Sequence, residues 1–114
     1  MIDMSTCISL ITNLRLGLYD EALSALYAPN HDDSALSTAR SRAIHVAEAF
    51  ASRFGDNVSA ALFSGPGRTE IGGNHVDHQH GHVLCGSVDL DTLACAAPNR
   101  LNVVRVISEG YPAA

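Results

Sequence analysis

Apolar spacing divides the chain into a helical first half and a strand-like second half. Residues 5 to 16 place Ile8, Ile11 and Leu14 or Leu16 on one side of a short helix, with Gly17 as a natural stop. A second helix is expected from about Asp20 to Tyr27. Ala22, Leu23, Leu26 and Tyr27 form its apolar stripe, and Pro29 ends it. Asn30-His31-Asp32-Asp33 reads as a polar turn. Leu36, Ala39, Ala43, Ala47, Phe50 and Phe54 then recur at intervals of three and four, which is one buried face of a longer helix. Asp33 or Ser34 is placed to cap that helix, and Gly55 stands where a left-handed C-terminal cap belongs.

From Asn57 the texture changes. Val58 to Ser64 has strand content, and Gly65-Pro66-Gly67 reads as a tight turn. Arg68 to Gly73 then alternates, with Arg68, Glu70 and Gly72 on one face and Thr69 and Ile71 on the other. Val83 to Asp89, Thr92 to Ala97 and Asn102 to Ser108 are expected to be three further strands, with Pro98-Asn99-Arg100 turning between the last two. Helices first and then a largely antiparallel sheet describe an α+β fold. The two parts are a helical N-terminal stretch, residues 1–56, and a strand-rich part, residues 57–114.

Composition narrows the class of function. A chain of 114 residues makes one domain at most, and 46% apolar residues suffice for a core. The net charge is −5, and all seven bases are scattered arginines. Nucleic acid requires a clustered cationic face, and an anionic membrane a polybasic patch; neither is present. Cys7, Cys85 and Cys95 show no paired spacing, as expected of a reducing compartment. Asp3 stands where a secretion signal carries positive charge, so a soluble cytoplasmic protein is expected.

The chemistry gathers between Gly65 and Gly81, a run with five glycines, Arg68, Asn74, Asp77 and three histidines. Three uses compete for it. The Gly67-to-Gly72 interval has the opening spacing of a phosphate loop, but Gly73 stands where lysine is needed. His78, His80 and His82 alternate as zinc ligands on a strand would, but they lack cysteines at zinc-site spacing and an HExxH helix. A solvated loop titrating near neutral pH accounts for them more simply. Sugar binding is the third use: Asp77 can accept hydroxyl hydrogen bonds, His75 or Asn74 can orient a further hydroxyl, and Arg68 can hold developing negative charge.

The run Pro66-Gly67-Arg68-Thr69-Glu70-Ile71-Gly72-Gly73-Asn74-His75-Val76-Asp77-His78 resembles the galactose-binding signature of galactokinases, in the GHMP small-molecule kinase superfamily. That signature has the form Gly-Arg-x-Asn-x-Ile-Gly-Glu-His-x-Asp-Tyr. The resemblance extends through Val83-Leu84 and Val88-Asp89-Leu90-Asp91 to Ser108-Glu109-Gly110-Tyr111-Pro112. It implies a partial GHMP-kinase N-terminal domain. It implies that Arg68 is the active-site arginine beside the hydroxyl being phosphorylated, and that Asn74, His75 and Asp77 contact the sugar. Asn74 stands where most of the family has Glu; it is uncharged and can donate as well as accept. Glu70 replaces an Asn, Gly72 an Ile and His78 a Tyr.

The family transfers the γ-phosphoryl group of ATP to the anomeric hydroxyl, so ATP and Mg²⁺ are its implied cofactors and galactose or a related hexose its implied partner. Its phosphate loop, Gly-Leu-Ser-Ser-Ser-Ala, does not occur in these 114 residues. The expectation is therefore a galactokinase fragment: a sugar half-site without a nucleotide site, inactive alone and prone to self-association through open sheet edges. A non-catalytic carbohydrate-binding or regulatory module is the alternative, and a histidine-rich metal-binding module the most distant one.

Overall fold

The computed structural model describes residues 2–73 and 77–112, with nothing said of the side chains of Ile2, Asp3 and Asp77. The fold is α+β. In chain order the elements are β1 (Ile2–Thr6), α1 (Cys7–Arg15), α2 (Asp20–Tyr27), α3 (Asp33–Phe54), β2 (Ser59–Gly72), a one-turn 3-10 helix (Asp77–Gln79) and β3 (Leu84–Ala96). The sheet has the order β1-β2-β3, and both pairings are antiparallel.

The three helices form where the apolar spacing places them. α1 begins one residue after Thr6, whose hydroxyl accepts from the Ser9 amide. Asp32 caps α3, one residue earlier than expected, because its Oδ1 accepts from the amides of both Ser34 and Ala35 at 2.9 and 3.3 Å. α3 ends at Gly55, where φ is 104° and ψ 150°. The positive φ matches the expectation; the ψ does not, so the cap is an extended glycine-only conformation rather than a left-handed turn.

The deepest face of α3 is made of alanines. Ala39, Ala43, Ala47 and Ala51 are buried, whereas Phe50 and Phe54 stack on each other at the flank with ring centroids 4.7 Å apart. Small side chains let the helix lie close to its neighbours. Leu10 and Leu14 of α1, Leu23 of α2, Ala43 and Ala47 of α3 and Leu62 of β2 form one core cluster. Cys7, Ala51 and Ala60 form a second beside it. Both clusters join the helices to the sheet. Asp20 and Arg40 clamp α2 to α3 through two hydrogen bonds.

The sheet departs from the sequence reading in four ways. Ile2–Thr6 is a strand, hidden in the sequence because it runs straight into the apolar pattern of α1. Gly65-Pro66-Gly67 is not a turn: β2 passes through it without a break. The proline is tolerated because β1 reaches only as far as Leu62, leaving β2 without a neighbour on that side among the described residues. The two strands expected between Val83 and Ala97 are one strand, β3, with a bulge near its middle. Asn102–Ser108 is not a strand. Its Val103, Val104, Val106 and Ile107 are exposed, and among the described residues it has no ladder partner.

Candidate sugar-binding hairpin

β2 and β3 form one long hairpin whose root lies under the helices and whose outer half projects beyond them. At the root, Ala60, Ala61 and Leu62 are buried. Outward from Phe63, the residues of β2 are exposed or half-buried. Arg68 sits in this outer half, opposite Ser87, with Glu70 opposite Cys85.

Two glycines shape the outer half. A Cβ on Gly67 would lie 2.9 Å from Val88 Cγ2 and 3.3 Å from the Leu90 carbonyl oxygen. Here the register jumps: Pro66 pairs with Asp91 and Arg68 with Ser87, so residues 88–90 face Gly67 alone. The bulge fits only because position 67 has no side chain. Gly73 has φ 121°, and a Cβ there would stand 2.7 Å from both the His82 carbonyl oxygen and Val83 Cα. It cinches the neck of the loop 73–83, so the loop starts and returns at one point.

Of the sequence-derived site residues, Arg68 lies on β2 just before that neck. Asp77 opens the one-turn 3-10 helix within the loop, its side chain lying outside the described residues. Asn74 and His75 lie outside the described residues altogether. His78, on the same helical turn, is exposed. Among the described residues, no group of three or more His, Cys, Asp or Glu is arranged to hold a metal ion.

A polar cluster that sequence reasoning passed over centres on Asp91. Asp91 lies where β3 meets the bulge, its side chain only 9% exposed. Tyr27 of α2 donates to its Oδ2 at 2.6 Å, and Ser64 of β2 donates to the same oxygen at 2.5 Å. Arg42 of α3 pairs with Oδ1 and also donates to the Asp91 backbone carbonyl at 3.1 Å. Burial alone raises the Asp91 carboxyl, but the hydrogen bonds from Ser64, Tyr27 and Arg42 outweigh it and bring the pKa down to about 2. Burial, and then the bond to Asp91, push the Tyr27 hydroxyl up. The cluster borders an open cleft of about 230 Å³ that Pro66, Val88, Asp89 and Leu90 also line. The available signal was an aspartate inside an apolar strand, a position that requires partners.

Comparison with known proteins gives the class: residues 48–98 match the family model "Galactokinase galactose-binding signature". The galactokinase of Lactococcus lactis subsp. cremoris (strain MG1363) is 35% identical over 65 residues, covering 57% of this chain and 16% of that protein. That of Lacticaseibacillus casei (strain BL23) is 33% identical over 67 residues, 59% and 17%. That of Bacillus subtilis (strain 168) is 34% identical over 62 residues, 54% and 16%. Over this stretch the chain is similar to the galactokinases and matches their galactose-binding signature. It spans about a sixth of the length of the curated relatives it matches. No solved structure matches it.

Galactokinase relatives imply ATP and Mg²⁺, and the starts of α2 and α3 do not fit a phosphate. A helix that receives phosphate offers bare backbone amides at its N-terminus. Here α2 opens with Asp20 and Glu21, and the first amides of α3 are taken by Asp32, with Asp33 following. At α3 the Asp32 carboxylate occupies two donors, and at both helices the acidic first turn repels phosphate. No helix among the described residues is long and apolar enough to cross a membrane.

Proposed function

We propose that this chain supplies the galactose-recognising part of a galactokinase. The observation that carries the reading is the signature match over residues 48–98, with its loop held on a glycine-cinched hairpin. In this reading Asp77 and His75 bind ring hydroxyls, Asn74 orients a further hydroxyl, and Arg68 is the cation beside the hydroxyl that accepts phosphate. An arginine suits that task because it is always charged and presents a rigid set of donors. Asn74 in place of a carboxylate makes that end of the pocket neutral and able to donate, which widens the set of acceptable hydroxyl orientations. The protein works in the cytoplasm, where sugar and ATP meet, and does not act on nucleic acid or membranes.

Phosphoryl transfer rests on positioning and on neutralising phosphate charge. The chain's own residues meet the sugar side of that requirement only, so this polypeptide alone leaves galactose unphosphorylated. With half of a pocket's walls, galactose binds at millimolar affinity or weaker. Calorimetric titration with galactose tests this. A weak saturable signal that Arg68→Ala and Asp77→Ala each remove supports the reading; tight binding, or binding unchanged in both variants, overturns it.

A further inference from the structure

We propose that Asp91 is a positioning residue: through Tyr27, Arg42 and Ser64 it latches the helices to the hairpin at its bend and sets the angle at which the outer half projects. The latch joins four elements at one carboxylate: α2 through Tyr27, α3 through Arg42, β2 through Ser64 and β3 through Asp91 itself. Arg42 also holds the strand's backbone carbonyl, so the grip does not depend on a side-chain rotamer alone.

The position of the latch gives it leverage. Below it, the hairpin root is fixed by Leu62, with Leu93 and Cys95 packed against the core. Above it lie the register jump opposite Gly67 and an outer half whose residues are exposed or half-buried. A strand with a bulge and glycines at positions 65 and 67 bends easily there. From Pro66 to Gly73 the strand runs about 23 Å at roughly 3.3 Å per residue, so a rotation of about 10° moves the loop neck by about 4 Å. A binding constellation must be held to within about 0.5 Å. A free bend is therefore ruinous for any ligand gripped jointly by the outer strand and the loop, and the Asp91 cluster is placed to prevent it.

That the tip holds a sugar rests on the function proposed above; the latch itself does not. Spin labels on the exposed native thiol of Cys85, in the outer half of β3, and on Ser37→Cys, on the exposed side of α3, report the angle without any ligand. Cys7 is buried, and the Cys95 thiol is pushed up to about 11 by burial and then by Cys7, so neither competes for the label. In the full chain, Asp91→Asn is expected at least to double the width of the inter-label distance distribution while the helical circular dichroism is retained. Tyr27→Phe, which removes one bond without changing packing volume, broadens it less. A distribution of unchanged width in a folded Asp91→Asn overturns the proposal. If Asp91→Asn unfolds the chain, Tyr27→Phe decides: broadening with the fold retained supports the latch, and unchanged width or global unfolding overturns it. Galactose binding that is tight, or unchanged in Arg68→Ala and Asp77→Ala, while the widths change as expected would overturn the sugar reading alone.

Discussion

A carboxylate that accepts from a tyrosine, a serine and an arginine at once resists protonation. The folded pKa of Asp91, about 2, lies below the roughly 3.9 of an unfolded aspartate. The unfolded state therefore takes up the proton first as pH falls. The stabilisation is complete above about pH 4 and is lost as pH drops toward 2. Arg42 is 41% exposed, so solvent screening trims its share, whereas the Tyr27 and Ser64 bonds are less affected. Urea midpoints at pH 7 are expected to show Asp91→Asn less stable by about 1–3 kcal/mol. Midpoints measured from pH 5 down to 2 are expected to fall more steeply for the parent chain than for that variant. Beyond its place in an apolar strand, nothing local marked Asp91, because its partners come from residues 27, 42 and 64 and no local spacing unites them. Arg68 and Asp77 were proposed from the sequence because the signature that suggests them lies in one run.

At the scale of elements, the helices were readable and much of the sheet was not. A helix declares itself through contacts three and four residues apart, so Leu36, Ala39, Ala43 and Ala47 were sufficient. Strands depend on partners far away in sequence. β1 was missed because only its pairing with residues 59–62 makes Ile2–Thr6 a strand. Gly65-Pro66-Gly67 looked like a turn because the local residues favour one, but β3 pairs along both sides of it and holds it extended. Asn102–Ser108 had strand composition without a ladder to join. The start of α3 offers a quantitative check. Asp32→Ala removes the acceptor for two amides and is expected to cost roughly 1 kcal/mol, read as a lower melting temperature.

Across the whole molecule, the radius of gyration is 16.7 Å, against roughly 13 Å for a compact domain of about 100 residues. The projecting hairpin makes up part of that excess. Apolar surface is also left in solvent: Leu101, Val103, Val104, Val106 and Ile107 are all at least 42% exposed. Among the described residues β3 also presents its outer edge without a neighbour. Open edges and β-branched exposed segments attract further strands. The purified chain is expected to self-associate with rising concentration in sedimentation velocity. Replacing Val104 and Val106 with lysine is expected to shift it back toward monomer; a parent chain that sediments as a monomer throughout would contradict this.

The pairing of the first strand with the middle of the sequence has a bearing on biosynthesis. Thr6 finds its partner only at Ser59, and Ile2 only at Leu62. During translation the helices emerge first, while residues 2–6 stay unpaired and solvated until β2 leaves the ribosome. Closing so long a loop is entropically slow, so sheet completion is a late event in folding. Throughout that interval, the nascent polypeptide presents Met4 and its neighbours to whatever chaperone or protease arrives first.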